Sequence, residues 1–246
     1  MKTLYTNGDS WTQGDELGLP YVEHQTEAVE LYWSWPWQLH KLLGTSICVN
    51  EARKGTSNER IFRRTTNFIN NYSKKHNVED LTVVVCWTTL DRWEVPVDAQ
   101  VNDKTTPWFM PIQQYGVNFP NTSRISKLKK DIVTGLEQLY KPYTMTLPSN
   151  KARALAQYNR MWQLKQICEN LNIKLVQSFA LDVTEFDSTR NGYIKEWYDD
   201  IGYVERAFIN HCREINCELA PGGHPLQKGH EEWAKLIFAK YVYDRI

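Results

Sequence analysis

Two residues near opposite ends of the chain have the chemistry of a nucleophile and its base. Ser10 follows a strand-like start within Gly8-Asp9-Ser10, and His224 lies in a glycine-rich turn near the other end. Glycine lets the chain turn sharply off a strand, which places the serine hydroxyl beside a helix start that favours developing negative charge. An imidazole with a pKa of about 6.5 suits a general base at neutral pH. The pair predicts nucleophilic catalysis, although Ser10 also fits a helix N-cap because residues 10–13 match a capping box.

Two later segments supply candidate hydrogen-bond donors for an oxyanion. Gly55 stands between a strand-like run and a helix start, where its backbone N–H can approach a ligand closely. It fits a plain turn glycine before a capped helix equally well. Thr88 and Thr89 come directly after the most apolar run of the chain, and either hydroxyl can donate into the same site.

Charged residues accompany both of these blocks. Asp9 precedes the serine, and we assign it with Arg92 to the oxyanion and substrate-binding region. Arg92 and Glu94 fit either a positioning pair or a surface ion pair of little energetic value. His230, close to the start of the last helix, is assigned a structural hydrogen-bonding role.

Short β-rich runs alternate with helical stretches along the chain. The predicted strands are 4–6, 46–50, 81–87 and 173–179, and the predicted helices are about 27–43, 58–76, 125–140, 152–172, 203–215 and 229–243. Pro36 predicts a kink or a new start inside the first helix. The alternation predicts a parallel sheet with right-handed crossovers, in which ligands lie beyond the carboxyl ends of the strands. Segment 95–124, rich in proline and aromatic residues, predicts a long loop that forms an insertion or lid near the site.

Composition limits the classes of function. The 246 residues fit a single domain over 1–246, and 29 basic against 29 acidic residues leave no excess for binding nucleic acid. The sequence shows no apolar run of membrane-spanning length and no signal-peptide pattern, so we expect a cytoplasmic protein with no membrane partner. Five cysteines without paired spacing do not predict a disulfide framework. His211, Cys212 and Cys217 form a loose cluster without the spacing of a zinc site, and we expect no metal.

Taken in order, the four polar segments resemble the SGNH/GDSL hydrolase family. That family places its nucleophile in an N-terminal Gly-Asp-Ser block, its oxyanion donors in two later blocks and its base in a C-terminal block with a His-Pro step. The resemblance makes Ser10 the nucleophile, Gly55 a donor, and His224 of the His224-Pro225 step the base. It implies a three-layer α/β/α sandwich with a parallel, flavodoxin-like sheet, no cofactor, and a small-molecule or carbohydrate ester as the partner.

The sequence departs from the family pattern at two places. The third block normally supplies an asparagine, and Thr88 or Thr89 must replace it; one lost oxyanion donor costs about 10²–10³ in rate. Pro221 stands where the family has an aspartate three residues before the histidine. A backbone carbonyl would then orient the ring in a Ser–His dyad, or an acid must come from elsewhere, and its loss costs about 10⁴ in rate. The candidate acids are Asp199, Asp200 and Glu218.

The sequence therefore predicts an esterase-type serine hydrolase acting on an ester or O-acyl group. Trp93 and Trp108 would suit an O-acylated sugar, or they simply pack the insertion. One alternative is a catalytically weak or inactive binding protein of the same fold, favoured by Pro221 and the missing asparagine. Another is an acyltransferase that uses the same serine with an acceptor other than water. The sequence does not indicate an oligomeric state.

Overall fold

A parallel sheet lies at the centre of the computed structural model, which describes residues 2–17, 32–101, 104–113, 150–181, 201, 204 and 206–243. Its strands are β1 (Thr3–Asn7), β2 (Ile47–Asn50), β3 (Leu81–Trp87) and β6 (Lys174–Phe179), in the order β2-β1-β3-β6. All the pairings are parallel. The four predicted strands are thereby confirmed, and their order is that of a doubly wound sheet.

Helices cover both faces of this sheet. They are α1 (Ser10–Gln13), α2 (Trp35–Leu43), α3 (Asn58–Ser73), α4 (Asn150–Asn170), α5 (Phe208–Glu214) and α6 (Gln227–Tyr243), with a short 3-10 helix at Val78–Asp80. On one face, Tyr5 of β1 stacks on Phe68 of α3 with ring centroids 4.1 Å apart. On the other face, the Cys48 thiol of β2 donates to the Pro36 carbonyl of α2 at 3.8 Å. With α4 beside α3 and α6 beside α2, the fold is the predicted three-layer α/β/α sandwich.

The buried character of β3 follows from this layering. Every residue of LTVVVCW is buried, as expected for a central strand covered on both faces. The indole N–H of Trp87 donates to the Gln177 side chain in β6 at 3.1 Å, and Gln177 donates to the Met161 carbonyl of α4 at 3.2 Å. These bonds satisfy polar groups where the end of the strand approaches the site.

The proline-rich segment is a β-hairpin over much of its length. Strands β4 (Arg92–Val101) and β5 (Lys104–Gln113) pair antiparallel, with Arg92 opposite Gln113 and Val101 opposite Lys104. The prolines that interrupt this segment predict a loop, and the hairpin corrects that prediction. Both strands of a two-stranded hairpin are edge strands, so the missing N–H of a proline need not break a ladder bond. Its role as an insertion or lid stays a prediction, as does the single-domain organisation.

The predicted helices differ from the structure mainly at their ends. Pro36 lies in the first turn of α2, so it marks a new helix start and not a kink. Three stretches that carry predictions lie outside the described residues: the predicted helix 125–140, residues 27–31 and residues 114–124. Within the described ranges, no helix is both long enough and apolar enough to cross a lipid bilayer.

Candidate active site

Ser10 lies at the carboxyl end of β1, at the start of α1. A Cβ on Gly8 would lie 2.8 Å from the Cys86 carbonyl oxygen in β3, so the turn before the serine needs glycine. Asp9 caps α1, since its Oδ1 accepts from the Trp11 N–H at 3.0 Å. Ser10 is therefore the first helical residue and not the N-cap, and its hydroxyl is left for another partner.

The side chains of Ser10, His224 and Glu16 form a linear hydrogen-bonded chain. His224 Nε2 lies 2.9 Å from Ser10 Oγ, and His224 Nδ1 lies 2.6 Å from Glu16 Oε2. The other oxygen, Glu16 Oε1, accepts from the Gly222 N–H at 3.2 Å. All three side chains are half-buried or buried, so the chain of bonds is only partly open to water.

Glu16 is a site residue that no motif in the sequence predicts. Among the acids proposed from the sequence, Glu218 is exposed and contributes its backbone carbonyl to Leu226 N–H, while Asp199 and Asp200 lie outside the described residues. The carboxylate that lies 2.6 Å from the ring belongs to Glu16, in the segment of the nucleophile, which was not among these candidates. The available signal was Gly14-Asp15-Glu16, where a glycine ends α1 four residues after Ser10 and two acidic residues follow it.

The backbone around Glu16 turns the side chain back toward the site. Gly14 ends α1 with φ 88°, and Glu16 itself has φ 66°, which is uncommon for a residue other than glycine. The Leu17 N–H donates to the Gly14 carbonyl at 3.2 Å and closes this turn. Strained backbone of this kind persists where the surrounding structure holds it, and it concentrates at functional sites.

The turn that carries His224 is a short hairpin. Its ends pair at Leu219 and Pro225, and within it the Ala220 N–H donates to the His224 carbonyl at 2.8 Å. A Cβ on Gly222 would lie 2.5 Å from Glu16 Oε2, so only glycine lets the carboxylate reach this backbone N–H. Pro221 is exposed in this turn and makes no bond to the histidine ring.

A second network surrounds Asp9, which is fully buried. Its Oδ2 accepts from the Thr88 hydroxyl at 2.7 Å and from Arg92 Nη1 at 3.2 Å. Arg92 Nη1 also donates to Thr88 Oγ1 at 2.9 Å. The Thr88 hydroxyl therefore donates its proton to Asp9. Asp9, Thr88 and Arg92 together hold the turn that carries Ser10 in place. Glu94 pairs with Arg63 at 2.8 Å, so the suggested Arg92–Glu94 pair is wrong.

Segment 50–58 lies beside the nucleophile turn. The Arg53 N–H donates to the Gly8 carbonyl at 3.2 Å, and Gly55 follows with φ 68°. That left-handed conformation explains the glycine, as in the plain-turn interpretation. Among the described residues, no acceptor is bonded to the backbone N–H of Gly55 or of Ser10.

Thr89 is held at the same edge by Asn58. The Asn58 side chain accepts from the Thr88 N–H at 2.9 Å and donates to both threonine carbonyls at 3.2 Å. Thr89 Oγ1 is shielded from solvent and has no hydrogen-bond partner among the described residues. Of the two threonines, only Thr89 retains a free hydroxyl donor.

The remaining predicted residues have other surroundings. His230 is fully buried, its Nδ1 accepts from the Trp35 N–H at 3.0 Å, and burial lowers its pKa to about 3. No group of three or more His, Cys, Asp or Glu side chains in the described part of the chain is placed to hold a metal ion. The side chains of Trp93 and Trp108 lie outside the described residues.

Solved structures resemble this chain over nearly its whole length. A crystal structure of TesA superposes with a TM-score of 0.50 at 11% identity, covering 97% of each chain. A lipolytic G-D-S-L family protein from Veillonella parvula gives 0.47 at 11% identity, over 99% of this chain and 97% of that one. A mutant acetyl-xylooligosaccharide esterase from Geobacillus Stearmophilus gives 0.48 at 14% identity, over 98% and 94%. The chain has the SGNH-hydrolase fold that its motifs imply.

Comparison of sequences identifies a family for this chain but no curated relative. No curated protein matches this chain. One family model matches residues 21–246, a range that contains His224 and starts after Ser10 and Glu16. The chain belongs to DUF6071, a family of unknown function.

Proposed function

We propose that this protein is a serine hydrolase that cleaves a carboxylic ester, with Ser10 as nucleophile, His224 as base and Glu16 as the orienting acid. The observation that carries the proposal is the chain of two short contacts, 2.9 Å from Ser10 Oγ to His224 and 2.6 Å from His224 to Glu16. A nucleophile within hydrogen-bond reach of a base, itself oriented by a third group, is the arrangement that activates a serine.

The first half of the reaction forms an acyl-enzyme. Ser10 Oγ bonds to the ester carbonyl carbon as its proton passes to His224 Nε2, and the carbonyl electrons move onto the oxygen. The Glu16 carboxylate keeps the Nδ1–H in place and stabilises the imidazolium that forms. Nε2 then donates its proton to the leaving alkoxide as the C–O bond breaks, which releases an alcohol.

The second half repeats these proton transfers with water. His224 Nε2 takes a proton from water as the water oxygen bonds to the acyl carbon, and it returns that proton to Ser10 Oγ as the acid leaves. The chain's own free donors stabilise the oxyanion in both halves. They are the backbone N–H groups of Ser10 and Gly55 and the Thr89 hydroxyl, none bonded to an acceptor among the described residues.

Covalent labelling tests this proposal without knowledge of the natural ester. A fluorophosphonate reacts with a serine only when the hydroxyl is activated, and mass spectrometry of the peptides locates the adduct. We expect wild type to be labelled at Ser10, and Ser10→Ala and His224→Ala to be unlabelled. The matched controls are Ser46→Ala and His76→Ala, which change an exposed serine and an exposed histidine and should label as wild type does.

The same variants separate an activated site from a nonspecific adduct. A folded wild type that is not labelled at Ser10, or a His224→Ala variant labelled at the wild-type rate, would overturn the proposal. Hydrolysis of a chromogenic acetate ester, lost in the same two variants, would then extend the result from an activated serine to turnover.

A further inference from the structure

Cys212 and Cys217 form a pair at the end of α5, outside the proposed catalytic residues. The Cys217 N–H donates to the Cys212 carbonyl at 3.0 Å, and the Asn216 N–H donates to the Arg213 carbonyl at 3.2 Å. With Asn216 at φ 48°, this is the Schellman motif that ends many helices. The motif brings the side chains of its first and last residues together, and here both are cysteines.

The two sulfur atoms share one small space. Each sulfur lies 3.1 Å from the position of a Cβ on Gly229, which α6 leaves vacant by using glycine there. Cys212 is 2% exposed, whereas Cys217 is half-buried and within reach of a small reagent.

Cys217 also stands at the base of the hairpin that carries His224. The next residue, Glu218, accepts at its carbonyl from the Leu226 N–H at 3.0 Å, and Leu219 then pairs with Pro225. A displacement of the backbone at Cys217 therefore also displaces the histidine turn, because these bonds connect the two. The far side of the pair is fixed, because α5 packs on α6 through the stacked rings of Phe208 and Trp233.

We propose that Cys212 and Cys217 form a reversible disulfide that weakens the catalytic site. The oxidant is a hydroperoxide, here hydrogen peroxide. The half-buried Cys217 sulfur attacks one peroxide oxygen, the O–O bond breaks, and a sulfenic acid and one water result. The Cys212 sulfur displaces hydroxide from that sulfenic acid, forming the S–S bond and a second water. Two thiols are oxidised by two electrons and one peroxide is reduced.

The order of attack follows from burial. Desolvation raises the pKa of the Cys212 thiol, so Cys212 carries little thiolate and does not react first with peroxide. The S–S bond is about 2.05 Å long, shorter than any non-bonded contact between two sulfur atoms. Formation of this bond draws Cys217 toward α5 and thereby displaces the hairpin that carries His224.

The predicted loss of reactivity rests on the proposed function. A shift of about 1 Å in a catalytic group costs up to about 100-fold in rate, so we expect labelling of Ser10 to slow at least tenfold on oxidation. A disulfide also has a signature that does not depend on catalysis, a loss of 2 Da from the intact chain for the two hydrogens removed. The two measurements together distinguish failure of this inference from failure of the proposed function.

The experiment uses the full chain, reduced and then freed of reductant. Hydrogen peroxide is added, the intact mass and the non-reduced peptides are measured, and the fluorophosphonate labelling rate is recorded before oxidation, after it, and after dithiothreitol. We expect a peptide linking Cys212 to Cys217, a labelling rate at least tenfold lower, and recovery with dithiothreitol. Cys217→Ser should keep both its mass and its rate. Cys48→Ser, which changes a half-buried cysteine in β2, should behave as wild type does.

Three results would overturn the inference. They are peroxide treatment that gives no Cys212–Cys217 linkage, a linkage that leaves the labelling rate unchanged, and a Cys217→Ser variant that loses its rate as wild type does. If Cys217→Ser does not fold, Cys212→Ala serves in its place and has the same expected outcome. Reduced wild type that fails to label counts against the proposed function, and the linkage is then decided by mass alone.

Discussion

Replacing Glu16 by glutamine tests whether this residue orients His224. The substitution keeps the size of the side chain and leaves one oxygen to accept the Gly222 N–H, which lies 3.2 Å away in wild type. It places an amide NH₂ where the carboxylate oxygen lies 2.6 Å from His224 Nδ1. Two donors cannot share that contact, so Nδ1 must give up its proton and accept.

The imidazole would then carry its proton on Nε2, the nitrogen that faces Ser10. In that tautomer Nε2 cannot accept the hydroxyl proton, so the base is removed while the geometry is kept. In serine proteases the corresponding loss is about 10⁴ in kcat, or about 5 kcal/mol of transition-state stabilisation. We expect a loss of similar size in Glu16→Gln, seen both as slower fluorophosphonate labelling of Ser10 and as lower kcat on a chromogenic ester, with KM little changed.

The matched control is Glu231→Gln, a carboxylate of α6 that accepts from Gln227 at the surface. It should label at the wild-type rate, which excludes a general effect of one lost negative charge. A folded Glu16→Gln variant that labels within about threefold of wild type would refute the reasoning. The ring of His224 would then need another orienting group.

Two further predictions concern buried ionisable groups. Asp9→Asn removes the buried carboxylate that faces Arg92 and should lower the free energy of unfolding, measured in urea, by about 3 kcal/mol. The control Glu232→Gln, at a surface ion pair, should lower it by under about 1 kcal/mol. Equal losses in the two variants would contradict this account. Because burial lowers the pKa of His230 to about 3, below its unfolded value of about 6.5, the unfolded chain binds the proton more tightly. Stability should fall as pH drops from about 6.5 toward 3, by up to about 1.4 kcal/mol per pH unit, and His230→Asn, which keeps an acceptor for Trp35 N–H, should flatten that dependence.

Much of the fold could be predicted because periodic signals specify it locally. The apolar run of β3 and the regular alternation of strand and helix were enough to give a parallel sheet covered on both faces. Position along the chain then placed Ser10 and Gly55 at the carboxyl ends of β1 and β2. The hairpin β4–β5 escaped prediction because its prolines weaken a strand pattern, and only the pairing of two edge strands makes them acceptable.

The orienting acid escaped prediction for a different reason. Contact between Glu16 and His224 joins residues 208 positions apart, and no local pattern encodes it. The bonding partners of the two threonine hydroxyls could not be predicted from the sequence either. Thr88 and Thr89 are chemically identical, and only the direction of each side chain shows that the first bonds to Asp9 while the second keeps its hydroxyl free among the described residues.

The position of Glu16 changes what Pro221 means for this site. Where the acid precedes the histidine by three residues, one turn must hold both, and a proline there removes the carboxylate. Here nucleophile and acid belong to one turn, six residues apart, and the histidine hairpin needs only a glycine at 222 whose N–H meets Glu16. Pro221 is then free to be any residue that suits an exposed turn. Pro221 and the missing asparagine both favoured an inactive protein. Since Glu16 lies 2.6 Å from the ring, the weight of Pro221 in that alternative depends on whether Glu16→Gln lowers the reactivity of Ser10.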